Sequence, residues 1–237
     1  REISQYLTWE KDIKCGTYII YPSNLSSNLV PNDFFDCLPL KQGTYALISA
    51  SISGNNIESV HLMSMLKAAF ITIMPLYPQN PELALSKLTK HFEQYIKNQL
   101  IINCFIGILD PINDNIICSN AGQPNPILYD TKRKASEYIN LTSTSLGFNS
   151  GLTTSYAKHE ISLRHKILVI YSHGAIDSVN NSGEEYGKDR LISTVNEKLN
   201  LAPSNPSEEI LKKVNEYSLN LPWREDISII TIQTRLK

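Results

Sequence analysis

Histidine, cysteine, serine and the carboxylates supply most active-site chemistry, and in this chain the first three are scattered. The histidines, His61, His91, His159, His165 and His173, contain no HxxxH pair, so one helix face cannot present two imidazoles to a metal in the metalloprotease manner. No serine sits in a Gly-x-Ser-x-Gly elbow, and none of Cys15, Cys37, Cys104 and Cys118 has a neighbourhood that would activate a thiolate. These cysteines form no CxxC pair, which leaves a structural zinc site without ligands at the required spacing. Three of them lie in apolar or strand-like stretches, the pattern of buried thiols in a reducing compartment. The acids are grouped instead. Asp33 and Asp36 bracket two phenylalanines, and Glu225 and Asp226 adjoin near the end of the chain.

The elements that must position these groups follow from periodicity. Cys15–Tyr21 is rich in β-branched and aromatic residues and reads as a strand, followed by a polar loop over Ser23–Asn32 closed by Pro31. Tyr45–Ile52 alternates as a half-buried strand does. Ile57–Ile73 is apolar on nearly every side, which predicts a helix buried all round, with Met63 and Met65 filling the core. After Pro75, Pro78 and Pro81, apolar residues at helical spacing predict a second helix over Glu82–Asn98. Strands follow over Leu100–Leu109, Asn115–Asn120 and Pro126–Tyr129, the first two joined by a turn beginning at Asp110. A strand pair, Thr153–Leu163 and Lys166–Ser172, is expected across the turn Arg164-His165. Helices over Gly187–Leu199 and Ser207–Leu219 and a last strand over Ile227–Thr234 complete the order.

Strands and helices thus cluster rather than alternate, which argues for an α+β layered sandwich and against a doubly wound parallel sheet. We expect one domain over residues 13–237, preceded by the end of an incoming helix or linker over residues 1–12. With 237 residues and a net charge of −1, the chain can bury a substantial core and lacks the basic excess of a nucleic-acid or anionic-membrane surface. Its longest apolar stretch, Leu62–Tyr77, is interrupted by Lys67 and Pro75, so no membrane contact is expected of this piece. Because the chain starts at Arg1, we expect a fragment, with an upstream sensor or membrane anchor left open.

Four segments, in order, resemble the motifs of SpoIIE/RsbU-type phosphatase domains of the PPM family. Asn32-Asp33-Phe34-Phe35-Asp36 resembles the family's Gly-Gly-Asp-Tyr-Tyr-Asp. Leu47–Asn56 and the helix after it resemble Gly-Asp-Val-Ser-Gly-Lys-Gly and its helix. Asn120-Ala121-Gly122-Gln123-Pro124-Asn125-Pro126 resembles Asn-Ala-Gly-His-x-Pro-Pro. Tyr171-Ser172-His173-Gly174 and Arg224-Glu225-Asp226-Ile227-Ser228 resemble Tyr-Thr-Asp-Gly and Asp-Asp-Ile-Thr. The resemblance covers the chain from about Lys14 onward. It implies a four-layer αββα sandwich, two antiparallel sheets flanked by helices.

It also implies hydrolysis of phosphoserine or phosphothreonine on proteins, by water held on two divalent metals, Mn or Mg. Two dications about 4 Å apart repel by about 16 kcal/mol at an effective dielectric of about 20, so several carboxylates must surround them. Carried over residue by residue, Asp33 matches the first family aspartate, Ser51 the second, His173 the third, Glu225 the fourth, and Asp226 the second acid of the final pair. Ser51 and His173 are therefore neutral or basic where the family has acids. The family's Lys-Gly has become Asn55-Asn56, and its Gly-Gly has become Pro31-Asn32.

Two readings of the site follow. In one it is silent, no cofactor is expected, and the domain is a pseudophosphatase acting by protein binding. In the other, the domain is an active Mn- or Mg-dependent phosphoserine or phosphothreonine protein phosphatase with a remodelled site, in which His173, Asp33 and Glu225 hold one borderline metal and Asp226 is the remaining family-matching acid. If no metal binds, Asp33, Asp36, Glu225 and Asp226 are ordinary acids on loop ends, and Gln123 is a structural turn residue. The resemblance implies a partner-switching context, with a STAS-domain phosphoprotein as partner and a cytoplasmic location. It leaves the oligomeric state open.

Overall fold

A computed structural model describes residues 11–26, 31–54, 57–93, 101–141, 143–146, 155–218 and 225–235. The expected incoming helix, the Asn55-Asn56 turn, Trp9, Trp223, Arg224 and the end of the helix predicted to Asn98 lie outside them.

The chain forms two compact units. The first comprises residues 1–31, 124–140 and 163–237, the second residues 32–123 and 141–162. The first unit carries a six-stranded antiparallel sheet in the order β1-β2-β11-β10-β7-β8, built from β1 (Ile13–Cys15), β2 (Tyr18–Leu25), β7 (Ile127–Asp130), β8 (Ala135–Tyr138), β10 (Lys166–Tyr171) and β11 (Ile227–Thr234). The second carries a five-stranded antiparallel sheet, β3 (Asp33–Pro39), β4 (Tyr45–Ile52), β5 (Ile102–Asp110), β6 (Asn115–Ala121) and β9 (His159–Ser162), in sequence order. Each sheet has its own helices. In the second unit these are α1 (Ile57–Ile73) and α2 (Pro81–Phe92). In the first they are the short α3 (Gly174–Asp177), then α4 (Gly187–Asn200) and α5 (Pro206–Tyr217). The expectation of an α+β fold with two helix-flanked antiparallel sheets therefore holds.

Several local expectations are corrected. The single strand predicted over Cys15–Tyr21 is a hairpin, because Gly16 takes φ 60 and turns the chain between β1 and β2. The polar loop predicted from Ser23 begins later, since β2 runs to Leu25 and even Pro22 is in register, opposite Ile230 of β11. The strands on either side of Arg164-His165 do not pair with each other. β9 joins β6 and β10 joins β7 and β11, so the turn passes the chain from one sheet to the other. β3, whose Asp33-Phe34-Phe35-Asp36 start does not alternate apolar with polar, the four-residue β8 and the single turn of α3 carried too little apolar periodicity to be read from sequence.

The helix α1 is not buried all round. It packs on β3, β4 and α2 through Met63, Leu66 and Phe70, whereas Ile71 is 44% exposed. Leu76, just beyond the helix, is 71% exposed. Met65 fills no core position: it is half-buried and lines an outward groove with Ala68, Thr72 and Tyr77. By length and composition alone Glu58–Leu76 could cross a membrane. In the first unit, α4 and α5 bury Leu191, Val195, Ile210 and Val214 in one cluster with Tyr129, Val169 and Ile229 from the sheet. The α5 start follows its sequence: Pro206 occupies the first turn, and the Asn205 side chain accepts from the Glu208 amide at 3.2 Å.

Candidate functional site

Strand register decides where the motif residues of the second unit go. Asp33 and Asp36 are three residues apart on one strand, so they face opposite sides of the sheet. Asp33 opens β3, Asp36 lies within it, and both are 5% exposed. Asp36 lies on the helix side. Its carboxylate accepts from the Cys37 amide at 2.8 Å and pairs with Lys67 of α1 at 3.4 Å, so its charge is balanced within the unit.

Asp33 lies on the other side, directly across from Ser51 of β4, and Ser51 is in turn across from Asn103 of β5. Neighbours of this kind hold their Cβ atoms about 5 Å apart. The row Asp33, Ser51 and Asn103 is therefore one polar strip across three strands. Two further residues close it. Asn103 Oδ1 accepts from Ser145 Oγ at 2.6 Å, and Gln123 Nε2 donates to Ser51 Oγ at 3.1 Å.

A tight turn fixes Gln123. Its amide donates to Asn120 Oδ1 at 3.2 Å, and Asn120 Nδ2 donates to the carbonyls of Gln123 at 2.7 Å and Leu141 at 3.0 Å. Gly122 is needed there. Its φ is +82, and a Cβ would stand 2.3 Å from Ser145 Oγ and 2.5 Å from Asn103 Oδ1. Gln123 thus has the structural role expected of it, and a second one: its amide is tied to the position that matches the family's second aspartate. Its own Oε1 is buried without a hydrogen-bond partner.

In the first unit, backbone rather than side chains brings the last two motifs together. β10 and β11 are in register to Tyr171–Ile229, and the pairing continues past β10, with the Ser172 amide donating to the Ser228 carbonyl at 3.0 Å. Ser172 Oγ accepts from the Ser228 amide at 2.9 Å and donates to the Asp226 carbonyl at 3.2 Å. A Cβ on Gly174 would lie 2.1 Å from that same carbonyl oxygen and 3.5 Å from Glu225 Cβ. Only glycine allows this approach, which sets His173 and Glu225 in neighbouring turns.

His173 is half-buried, and its Nδ1 is buried without a hydrogen-bond partner. Glu225 is exposed. Asp226 is 2% exposed and accepts from Ser26 Oγ at 3.3 Å. Asp177, one turn beyond His173, did not stand out in the sequence. Burial pushes its carboxyl above the usual range, the imidazole of His173 opposes that shift, and Glu185 adds to it.

The sequence-predicted residues therefore fall into two groups, Asp33 with Ser51 in one unit, and His173, Glu225 and Asp226 in the other. The Asp36–Lys67 pair and the Asn103–Ser145 contact were missed. Recognising β3 as a strand would have exposed the first, because i and i+3 on a strand face apart. The second joins distant loops and leaves no sequence signal.

Hard dications such as Mg²⁺ and Mn²⁺ select sets of anionic oxygens. The polar strip of the second unit offers one carboxylate among hydroxyls and amides. The neighbouring turns of the first unit offer an imidazole, the longer carboxylate of Glu225, and Asp226, which is buried and accepts from Ser26 Oγ. Among the described residues no three His, Cys, Asp or Glu side chains gather as metal donors. These residues do not fit the family's pair of metals.

The sequence matches the family model described as Stage II sporulation protein E (SpoIIE) over residues 41–235. No curated relative matches it. Among solved structures, the RsbU and RsbW domains of Rv1364c from Mycobacterium tuberculosis are similar with a TM-score of 0.75 at 19% identity, covering 92% of this chain and 61% of that one. The SiaA-PP2C domain of Pseudomonas aeruginosa gives 0.78 at 13%, covering 92% and 86%. The PP2C phosphatase domain of SpoIIE from Bacillus subtilis, with a fragment of its regulatory domain, gives 0.73 at 11%, covering 92% and 62%. At these identities the likeness is one of fold. The chain spans about three fifths of the first and third of these structures.

Proposed function

Because this chain belongs to the SpoIIE family, we propose that it is a phosphatase-fold domain that has exchanged turnover for protein binding. The observation that carries this reading is Ser51. The position matching a family aspartate is a neutral hydroxyl, placed across from Asp33 and tied down by the Gln123 amide. A dinuclear centre carries four positive charges, and the family-matching carboxylates that remain, Asp33, Glu225 and Asp226, do not balance them. His173, at the position of another family acid, is cationic or neutral but never anionic.

The RsbU domain joined to an RsbW domain in one structural relative supports a regulatory protein as partner. The family resemblance supports a STAS-domain phosphoprotein, a partner-switching role and a cytoplasmic setting. In this reading the domain binds the partner without hydrolysing its phosphate.

Calorimetry with Mn²⁺ and turnover of p-nitrophenyl phosphate, each with and without the metal, test it together. The expected result is no saturable site below millimolar Mn²⁺ and no metal-dependent hydrolysis. Binding of two metals per chain, with turnover lost in Asp33→Ala, would instead establish a working phosphatase with a remodelled site.

A further inference from the structure

Away from the motif residues, the first unit contains a cavity of about 290 Å³. That is the lower edge of the ~300–1,000 Å³ usual for small-molecule sites, so its occupant must be small. Its floor is apolar and buried, formed by Tyr129, Ile167, Leu199 and Pro206. The one polar group on that floor, the Tyr129 hydroxyl, already donates to Asn200 Oδ1 at 2.9 Å and asks nothing of a ligand.

The rim has one sign of charge. Lys134 and Lys166 line it together with His165, and no carboxylate does. Among the described residues neither lysine forms an ion pair. Arg133, next in sequence to Lys134, pairs with Asp130 and Glu137. Asp130 is occupied within its own turn, where it accepts from the amides of Lys132 and Arg133 at 2.9 Å each. The acids nearest in sequence are therefore committed elsewhere.

The rim is also held in place. The turn after β7 and the turn before β10 are tied by Thr131, whose amide and hydroxyl donate to the His165 carbonyl at 3.0 and 2.8 Å. Described non-glycine residues with positive φ are Gln42, Asp114, Lys134, His165 and Ala202, and the last three all line this cavity. Glycine would adopt that backbone more easily.

We propose that this cavity binds a small organic carboxylate with an apolar body. Its head group lies at Lys134 and Lys166, and its chain or ring rests on Tyr129, Ile167, Leu199 and Pro206. The site involves none of the metal-motif residues, so its occupancy is independent of whether the domain turns over phosphate. The free C-terminus of an apolar peptide shares the head-group chemistry, and the test has an arm for it.

The full chain, labelled with ¹⁵N, is titrated with hexanoate, hexanol and acetyl-dileucine, and the amide shifts are followed. Hexanoate is expected to give saturable shifts confined to residues 129–134, 165–167 and 199–206. Its affinity should fall at least about 10-fold in Lys134→Gln/Lys166→Gln, and hexanol should bind at least about 10-fold more weakly than hexanoate. Both lysines reach solvent, so an unchanged melting temperature of the variant without ligand shows that its fold is retained. The proposal is overturned if hexanoate gives no saturable shifts, if hexanol binds as tightly, or if the double variant binds as well as the parent. Tighter binding of acetyl-dileucine than of hexanoate would make the site a reader of peptide ends and equally overturn a small-molecule occupant.

Discussion

The two units carry different residues that resemble the family's motifs, Asp33 and Ser51 in one and His173, Glu225 and Asp226 in the other, and hold them in different ways. In the second unit side chains hold side chains: Gln123 reaches Ser51, Ser145 reaches Asn103, and the Asn120 turn sets the distance. In the first unit backbone holds backbone through Ser172, Gly174 and the Asp226 carbonyl, while the side chains of His173 and Glu225 take no part in that junction. Ser51 and His173, the two motif positions without an acid, are therefore not equivalent. Ser51 has been absorbed into the fold, whereas His173 occupies its position without being wired into it. Restoring the acids should therefore be costly at one position and easy at the other.

The largest effect is expected where backbone meets backbone. Gly174→Ala places a Cβ 2.1 Å from a carbonyl that cannot move without breaking the pairing beyond β10. We expect a loss of more than about 4 kcal/mol, or no folded protein at all. Gly122→Ala clashes with two side chains and takes a left-handed backbone, and should cost less, about 2–3 kcal/mol. Urea denaturation of the pair ranks them, and the opposite order would break the contrast between the units.

Ser51→Asp comes next. It sets a second carboxylate directly across from Asp33, and like charges so placed destabilise a sheet. The expected loss is about 2 kcal/mol at pH 7. Mutual repulsion raises the folded-state pKa values of both acids above their unfolded values, so the deficit is full at neutral pH and shrinks as pH falls through those raised values. Melting curves from pH 8 to pH 4 check the sign.

Gln123→Ala removes one hydrogen bond to Ser51 together with a buried amide whose oxygen is unpartnered. Those terms oppose each other, and we expect a loss of about 1 kcal/mol by chemical denaturation. His173→Asp alone should cost less than about 1 kcal/mol and bind no Mn²⁺, which is the easy half of the contrast. The smallest effect belongs to Asp177, exposed by surface area yet with its carboxyl pushed up by burial, with His173 opposing. Asp177→Asn should raise the melting temperature by about a degree or less at pH 8 and not at pH 4, because the raised acid disfavours the folded state only where it is ionised.

The framework was legible wherever local pattern and burial agree. Tyr45–Ile52, Ile57–Ile73 and Ile227–Thr234 have the bounds that their composition indicates. Burial also accounts for the thiols: Cys15, Cys104 and Cys118 are buried and in no disulfide, and burial pushes the Cys118 thiol up to about 12. Legibility failed where a pattern has two structural solutions. A glycine inside CGTYIIY allows a strand or a hairpin. The two-residue turn Arg164-His165 fits a hairpin as well as a crossing between sheets, and only the choice of β6 as partner for β9 decided it.

Residue order alone tells which acids exist, and that Ser51 and His173 are not among them, since charge is a property of residue type. It could not say which neighbours each carboxylate meets. Asp33 and Asp36 look alike in a line of residues. One faces Lys67 and the other Ser51 only because the pleat sends them to opposite sides of a sheet, and because a helix begun some twenty residues later lies on one of those sides.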